Sequence, residues 1–220
     1  MDLIRQIIDF ILHVDTYLSN IIAQYGAWTL AVLFAIIFIE TGVVVMPFLP
    51  GDSLIFAAGA FAARGALNVW SLFIVLSLAA ILGDTVNYWI GHRVGGKAYS
   101  GEVKWVKKEY MERTHAFFDK HGGKAIFLAR FVPIVRTFTP FVAGISQMHY
   151  GFFLRWNIIG GITWVAIFTA LGYFFGNIPF VQRNFELVIV AIVAISVIPA
   201  VVEALKARRE FRKPQLESKA

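Results

Sequence analysis

Two arginines stand inside an apolar stretch broken by prolines, and no other feature of this sequence restricts the fold as much. Residues 126–147 read Ile-Phe-Leu-Ala-Arg130-Phe-Val-Pro133-Ile-Val-Arg136-Thr-Phe-Thr-Pro140-Phe-Val-Ala-Gly144-Ile-Ser-Gln. By hydropathy the segment belongs in a bilayer, where each arginine costs ~2.5–3.5 kcal/mol on insertion scales. Pro133 and Pro140 each remove a backbone donor and crowd the preceding turn, which disfavours a straight spanning helix. Irregular backbone at that depth is tolerated only where protein covers it or where it lines a wet cavity. The expectation is a broken or re-entrant segment that holds two fixed positive charges in a cavity. The plainer alternative is a kinked helix whose arginines snorkel to the surface.

The remaining composition places the whole chain in the same medium. Of its 220 residues 58% are hydrophobic, and the mean hydropathy is +0.69. Soluble domains stay near ~50% apolar, so a polytopic membrane protein is expected. There is no cysteine, which excludes disulfides, thiol redox chemistry and thiolate metal sites. No other metal-ligand cluster stands out, and no cofactor is expected. The first nine residues mix acids into an apolar run and do not read as a cleaved signal peptide.

The net charge of +6 is concentrated in two tracts. Eight Lys/Arg lie between Arg93 and Lys124 and six between Lys206 and Lys219, together 14 of the chain's 20. Basic residues in short loops stay cytoplasmic, so both tracts are expected on that side, the C-terminus included. They abut hydrophobic spans and are interleaved with Glu and Asp, so anionic membrane lipids suit them and nucleic acid does not.

Taken in order, residues 1–26 carry an isoleucine and leucine stripe with Asp2, Asp9, His13 and Asp15 off it, the pattern of an amphipathic interfacial helix. Residues 27–91 hold an apolar run ending at Glu40, then Pro47, Pro50, Gly51 and Asp52, then Leu54–Ala62 and a clear span over 67–91 containing Asp84 and Asn87. Pro50-Gly51-Asp52 also reads as a turn in which Asp52 caps a helix. Residues 92–124 form a basic cytoplasmic loop, 125–177 repeat the pattern of broken segment plus span, 178–205 are a last transmembrane helix and 206–220 a basic tail. Two spans separate the basic loop from the tail. If both are cytoplasmic, residues 125–147 must return to the side they entered, and 27–62 can do the same from the opposite face.

A weak internal repeat accompanies this topology. Ala58-Gly59 to Tyr88-x-x-Gly91 has the spacing of Ala143-Gly144 to Tyr173-x-x-Gly176, at a constant offset of 85. Proline-broken segments at corresponding places in two halves mark the midplane site of inverted-repeat transporters. The expected fold is therefore an all-α polytopic membrane protein of one domain. It comprises two inverted repeats, each a re-entrant hairpin broken at Pro47, Pro50 and Gly51 or at Pro133 and Pro140 and followed by a transmembrane helix.

These residues carry a family resemblance. Phe-Ile-Glu40-Thr-Gly, Phe-Leu-Pro50-Gly51-Asp52-Ser-Leu, His121-Gly122-Gly-Lys and Arg130-Phe-Val-Pro133-Ile-Val-Arg136-Thr…Ala143-Gly144 resemble the DedA family of bacterial inner-membrane proteins over nearly the whole chain. The resemblance implies facing re-entrant hairpins and the return of polyprenyl-phosphate carrier lipid, chiefly undecaprenyl phosphate, to the cytoplasmic leaflet. It also implies dependence on the proton-motive force and a place in envelope biogenesis, with Glu40, Asp52, Arg130 and Arg136 as the key charges. One departure is local: His92 stands after Tyr-x-x-Gly, where the family often has arginine.

On this reading Arg130 and Arg136 bind the lipid phosphate, because guanidinium offers a planar fork that keeps its charge. Glu40 and Asp52 neutralise the arginines in the empty site, and protonating one carboxylate frees an arginine, which couples transport to protons. Asp84 and Asn87 are supporting candidates or polar packing between helices. Trp28, Trp70, Trp89, Trp156 and Tyr173 read as interfacial anchors. The alternatives are a small-ion or proton exchanger, a general phospholipid scramblase and, less favoured, a lipid-phosphate phosphatase. An enzyme is not expected, since His115 and His121 stand beside no convincing nucleophile.

Overall fold

The computed structural model describes residues 14–43, 51–99, 118, 122–185 and 187–192. Among them every regular element is helical. The elements are α1 (Val14–Tyr25), a 3₁₀ turn (Gly26–Trp28), α2 (Thr29–Gly42), α3 (Gly51–Ala63), α4 (Val69–Tyr99), α5 (Gly123–Ala129), α6 (Pro133–Ile145), α7 (Tyr150–Phe175) and α8 (Pro179–Arg183). Residues 187–192 are helical as well. Pro47, Pro50, His115, His121, the N-terminal part of the amphipathic stripe, most of the last predicted span and the basic tail lie outside the described residues.

Length separates the apolar helices into two kinds. At 1.5 Å per residue, α4 and α7, with 31 and 26 residues, reach ~46 and ~39 Å and exceed a hydrocarbon core of ~30 Å. With 14 and 13 residues, α2 and α3 reach only ~20 Å, too short to cross. The short helices pack mainly on the long ones: α2 and α6 lie along α4, while α3 and α5 lie along α7. The third helix of each half thus receives the second helix of the other half.

The motifs that recur at an offset of 85 make these crossings. A Cβ on Gly59 would lie 2.5 Å from the Thr169 carbonyl oxygen and 3.2 Å from the Tyr173 nitrogen. One on Gly144 would overlap the Tyr88 carbonyl oxygen and sit 2.6 Å from the His92 nitrogen. Gly91 and Gly172 reciprocate, each meeting a backbone carbonyl, of Phe141 and Phe56 respectively. Small residues let the helix backbones approach, which replaces the hydrophobic drive that lipid cannot supply.

The short helices also stop alike. After α3 the Ala66 and Gly65 amides donate to Phe61 and Ala62 carbonyls, with Gly65 at φ +79°, a left-handed helix stop. After α6 the Met148 and Gln147 amides do the same to Ala143 and Gly144, but with Gln147 at φ +57°. A non-glycine residue there is strained, and Gln147 is held by its Nε2 donating to the His92 carbonyl at 2.8 Å. Asn68 then starts α4 by accepting from the Trp70 and Ser71 amides at 3.1 and 3.0 Å.

Three expectations need correction. The 67–91 span does not end at Gly91: α4 runs on to Tyr99, because Gly91 and Gly95 press against the Phe141 and Ile145 backbones and that packing carries the helix past its apolar stretch. Pro140 does not break the second hairpin. It lies inside α6, which continues to Ile145 with Ala143 and Gly144 seated on α4; one lost donor does not outweigh that contact. The break falls at Arg130–Val132, with Pro133 as the first residue of α6, where a missing N–H costs nothing. Trp156, expected as an anchor, packs against Gly123 instead, while Trp28 and Trp70 are exposed.

Candidate functional site

The breaks at the tips of the two short-helix pairs lie against the middles of the long helices. Gly42 ends α2 in contact with Gly83, halfway along α4, and Arg130 follows α5 beside Gly160 and Gly161 of α7. The far end of α3 meets the far end of α7, where Asn177 Nδ2 donates to the Ala63 carbonyl at 3.3 Å. The far end of α6 meets the His92 turn of α4 at the other extremity of the molecule. The charged residues of the breaks are thereby brought together in the interior.

Arg136, in the first turn of α6, donates from Nη1 to Asp52 Oδ1 and from Nη2 to Glu40 Oε1, each at 2.5 Å. Asp52 belongs to the first turn of α3, where the helix dipole favours an anion, so it is not simply a cap outside the helix. Glu40 lies in the last turn of α2 and Arg136 near the start of α6, both at the end the dipole disfavours. Their pairing offsets that cost. The Gly51 amide also donates to Glu40 Oε1 at 3.3 Å, and a Cβ on Gly51 would overlap the carboxylate. Gly51 therefore does more than break a helix: only glycine admits Glu40 to this position.

Arg130 forms a second cluster. Its Nη1 pairs with Asp84 Oδ2 at 2.8 Å and donates to Asn157 Oδ1 at 2.7 Å, and its Nη2 reaches the Ala80 carbonyl at 3.3 Å. This corrects the expectation that Glu40 and Asp52 serve both arginines. Asp84, treated as a supporting or packing residue, is a direct ion-pair partner. Asn87 joins the short helices, its Nδ2 donating to the Thr41 carbonyl of α2 and the Thr137 carbonyl of α6 at 3.2 and 2.8 Å.

Trp164 joins the clusters, and sequence reasoning missed it. Its ring lies under both guanidinium groups, 4.8 Å from Arg136 Cζ and 5.8 Å from Arg130 Cζ, and its Nε1 donates to Asp52 Oδ1 at 2.8 Å. Trp164 is 1% exposed, Glu40 1% and Arg130 5%, so the assembly is sealed from solvent. Asn157 was missed as well. A tryptophan and an asparagine midway along a span, far from either interface, were the available signal. Among the described residues here, Glu40 Oε2, Arg136 Nε and Asn87 Oδ1 are buried without a hydrogen-bond partner.

Comparison with known proteins shows the family. The model of the VTT domain matches residues 49–174, more than half of the chain. The chain is 52% identical over 212 residues to Protein DedA of Escherichia coli K12, covering 95% of this chain and 97% of that one. The chain belongs to the DedA family. An uncharacterized membrane protein of Mycobacterium tuberculosis H37Rv is 44% identical, with 86% and 84% of the two chains covered. The inner membrane protein YghB of Escherichia coli K12 is 38% identical over 70% of each. No solved structure matches. The matched domain contains Asp52, Asp84, Arg130, Arg136 and Trp164, and leaves Glu40 just before its start. This DedA-family chain is accordingly a helical membrane protein.

Proposed function

We propose that this DedA-family membrane protein carries a polyprenyl-phosphate lipid across the bacterial inner membrane, returning undecaprenyl phosphate to the cytoplasmic leaflet for envelope biogenesis. The observation that carries the reading is the convergence of Arg130 and Arg136 with three carboxylates at the meeting point of two broken helix pairs. Helices too short to cross, entering from opposite ends, support two inverted re-entrant hairpins, as do the reciprocal glycine crossings.

Arg136 is engaged by carboxylate through both terminal nitrogens, as a phosphate would engage it, and Arg130 through Nη1 alone. An incoming phosphate monoester exchanges for those carboxylates one oxygen at a time, so no cation is left bare in the interior. Trp164 keeps the two forks on one ring face during the exchange. Counted with all groups ionised, Glu40, Asp52 and Asp84 against two arginines leave one negative charge. Uptake of one proton removes it, which supports coupling to the proton-motive force. We propose a carrier rather than an enzyme.

Reconstitution in liposomes tests this. Labelled polyprenyl phosphate should move between leaflets in the presence of the protein, and Arg130→Lys and Arg136→Lys should each slow it by roughly ten-fold or more, since a point charge replaces a fork. Undiminished transport by both lysine variants, or equal transport of phosphatidylcholine, removes the proposal.

A further inference from the structure

A cavity of about 470 Å³ opens at the end of the molecule where α3 and α7 finish, opposite the last turns of α4. Its polar lining comes from Thr16, Ser19 and Asn20 of α1, Arg64 beyond α3 and Gln182 of α8. Among the described lining residues one cation and four neutral hydrogen-bonding side chains face the space, and none is acidic. Arg64 is tethered, with Nη2 on the Gly176 carbonyl at 3.4 Å and its guanidinium 5.4 Å from the centre of the Phe61 ring. These contacts hold the side chain without supplying a counter-charge, unlike the carboxylates that neutralise Arg130 and Arg136.

We propose that this cavity is a second anion site, which receives the phosphate head group of a lipid before it reaches the interior arginines. An arginine ringed by hydroxyl and amide donors matches a phosphate with several oxygens. Phe174 and Phe180, both 70% exposed near the end of α7 and the start of α8, give an acyl or prenyl tail apolar surface at the same end of the molecule. The site lies at the extremity opposite Arg93 and Lys97 of α4, where the basic tract begins; the charge rule assigns that tract to the cytoplasm and so this extremity to the outer face, where a returning carrier is loaded. The lipid source rests on the carrier reading above; the anion site does not.

The test uses the full chain in phosphatidylcholine nanodiscs and a photoactivatable fifteen-carbon prenyl phosphate, with labelled peptides mapped by mass spectrometry. Label is expected at residues 16–20, 60–64 or 182 and also near Arg130, Arg136 and Trp164. Arg64→Gln should cut the cavity label roughly ten-fold, as loss of a charged hydrogen bond does. Asn20→Asp, which adds a negative charge at an exposed position, should cut it in the same direction, and Arg64→Lys should keep part of it. Equal labelling of the cavity in parent, Arg64→Gln and Asn20→Asp overturns the site. Cavity label without interior label overturns the carrier reading and leaves the site standing. Displacement by inorganic phosphate as effective as by unlabelled prenyl phosphate keeps the anion site and overturns its assignment to a lipid.

Discussion

Arg136 illustrates why one buried cation needs two partners. Glu40 Oε1 and Asp52 Oδ1 accept from different nitrogens of its fork, and each carboxylate has a further donor, the Gly51 amide or the Trp164 indole. Removing one member of such a group leaves uncompensated charge, whereas removing all of them does not. Arg136→Ala should therefore destabilise the protein by about 3–5 kcal/mol, read as a lower melting temperature in detergent. The triple variant Glu40→Gln, Asp52→Asn, Arg136→Met should regain most of that stability while remaining inactive. A triple variant no more stable than Arg136→Ala contradicts the pairing argument. Trp164→Phe keeps one aromatic ring beneath the guanidinium groups and deletes the N–H to Asp52 together with part of the buried indole. It should cost about 1–3 kcal/mol and slow transport with helical content unchanged in circular dichroism.

Among the helices, the repeated Ala-Gly and Tyr-x-x-Gly motifs act through their backbones. Gly59 and Gly144 are second-helix residues seated on the long helix of the other half, on Thr169 and Tyr173 and on Tyr88 and His92. Neither end of those contacts can yield, because the opposing atoms belong to the main chain. Gly59→Val and Gly144→Val should each lose about 1–3 kcal/mol or more, by comparable amounts, in thermal or denaturant unfolding. Gly65→Ala meets open space at a positive φ and should cost less, through backbone strain alone. The two crossings differ in one respect. Tyr88 is buried, stacks on Phe153 at 4.6 Å and donates to the Met148 carbonyl, whereas Tyr173, its counterpart in the repeat, is 36% exposed.

At the scale of the whole molecule, the proposed topology places residue 66 and residue 93 on opposite faces of the membrane. The chain contains no cysteine, so single cysteines report cleanly. Ala66→Cys should react with an impermeant maleimide applied outside cells, and Arg93→Cys only after the inner face is exposed; both are exposed positions. Labelling of both from outside rejects the inverted arrangement. The sequence by itself determined the medium, the helical class and the charges that end up buried, because hydropathy and the cost of a buried guanidinium are local properties. It also exposed the family through motifs that run along the chain. It could not reveal which carboxylate serves which arginine, since Glu40, Asp52 and Asp84 are equivalent donors of negative charge until the helices are packed. Nor could it show that Pro140 is absorbed within α6, or that Trp164 unites the two ion-paired groups. Those outcomes were decided by tertiary structure, where close glycine crossings fix the height of each helix and so bring residues 27 to 112 positions apart to within hydrogen-bonding or ring-contact distance.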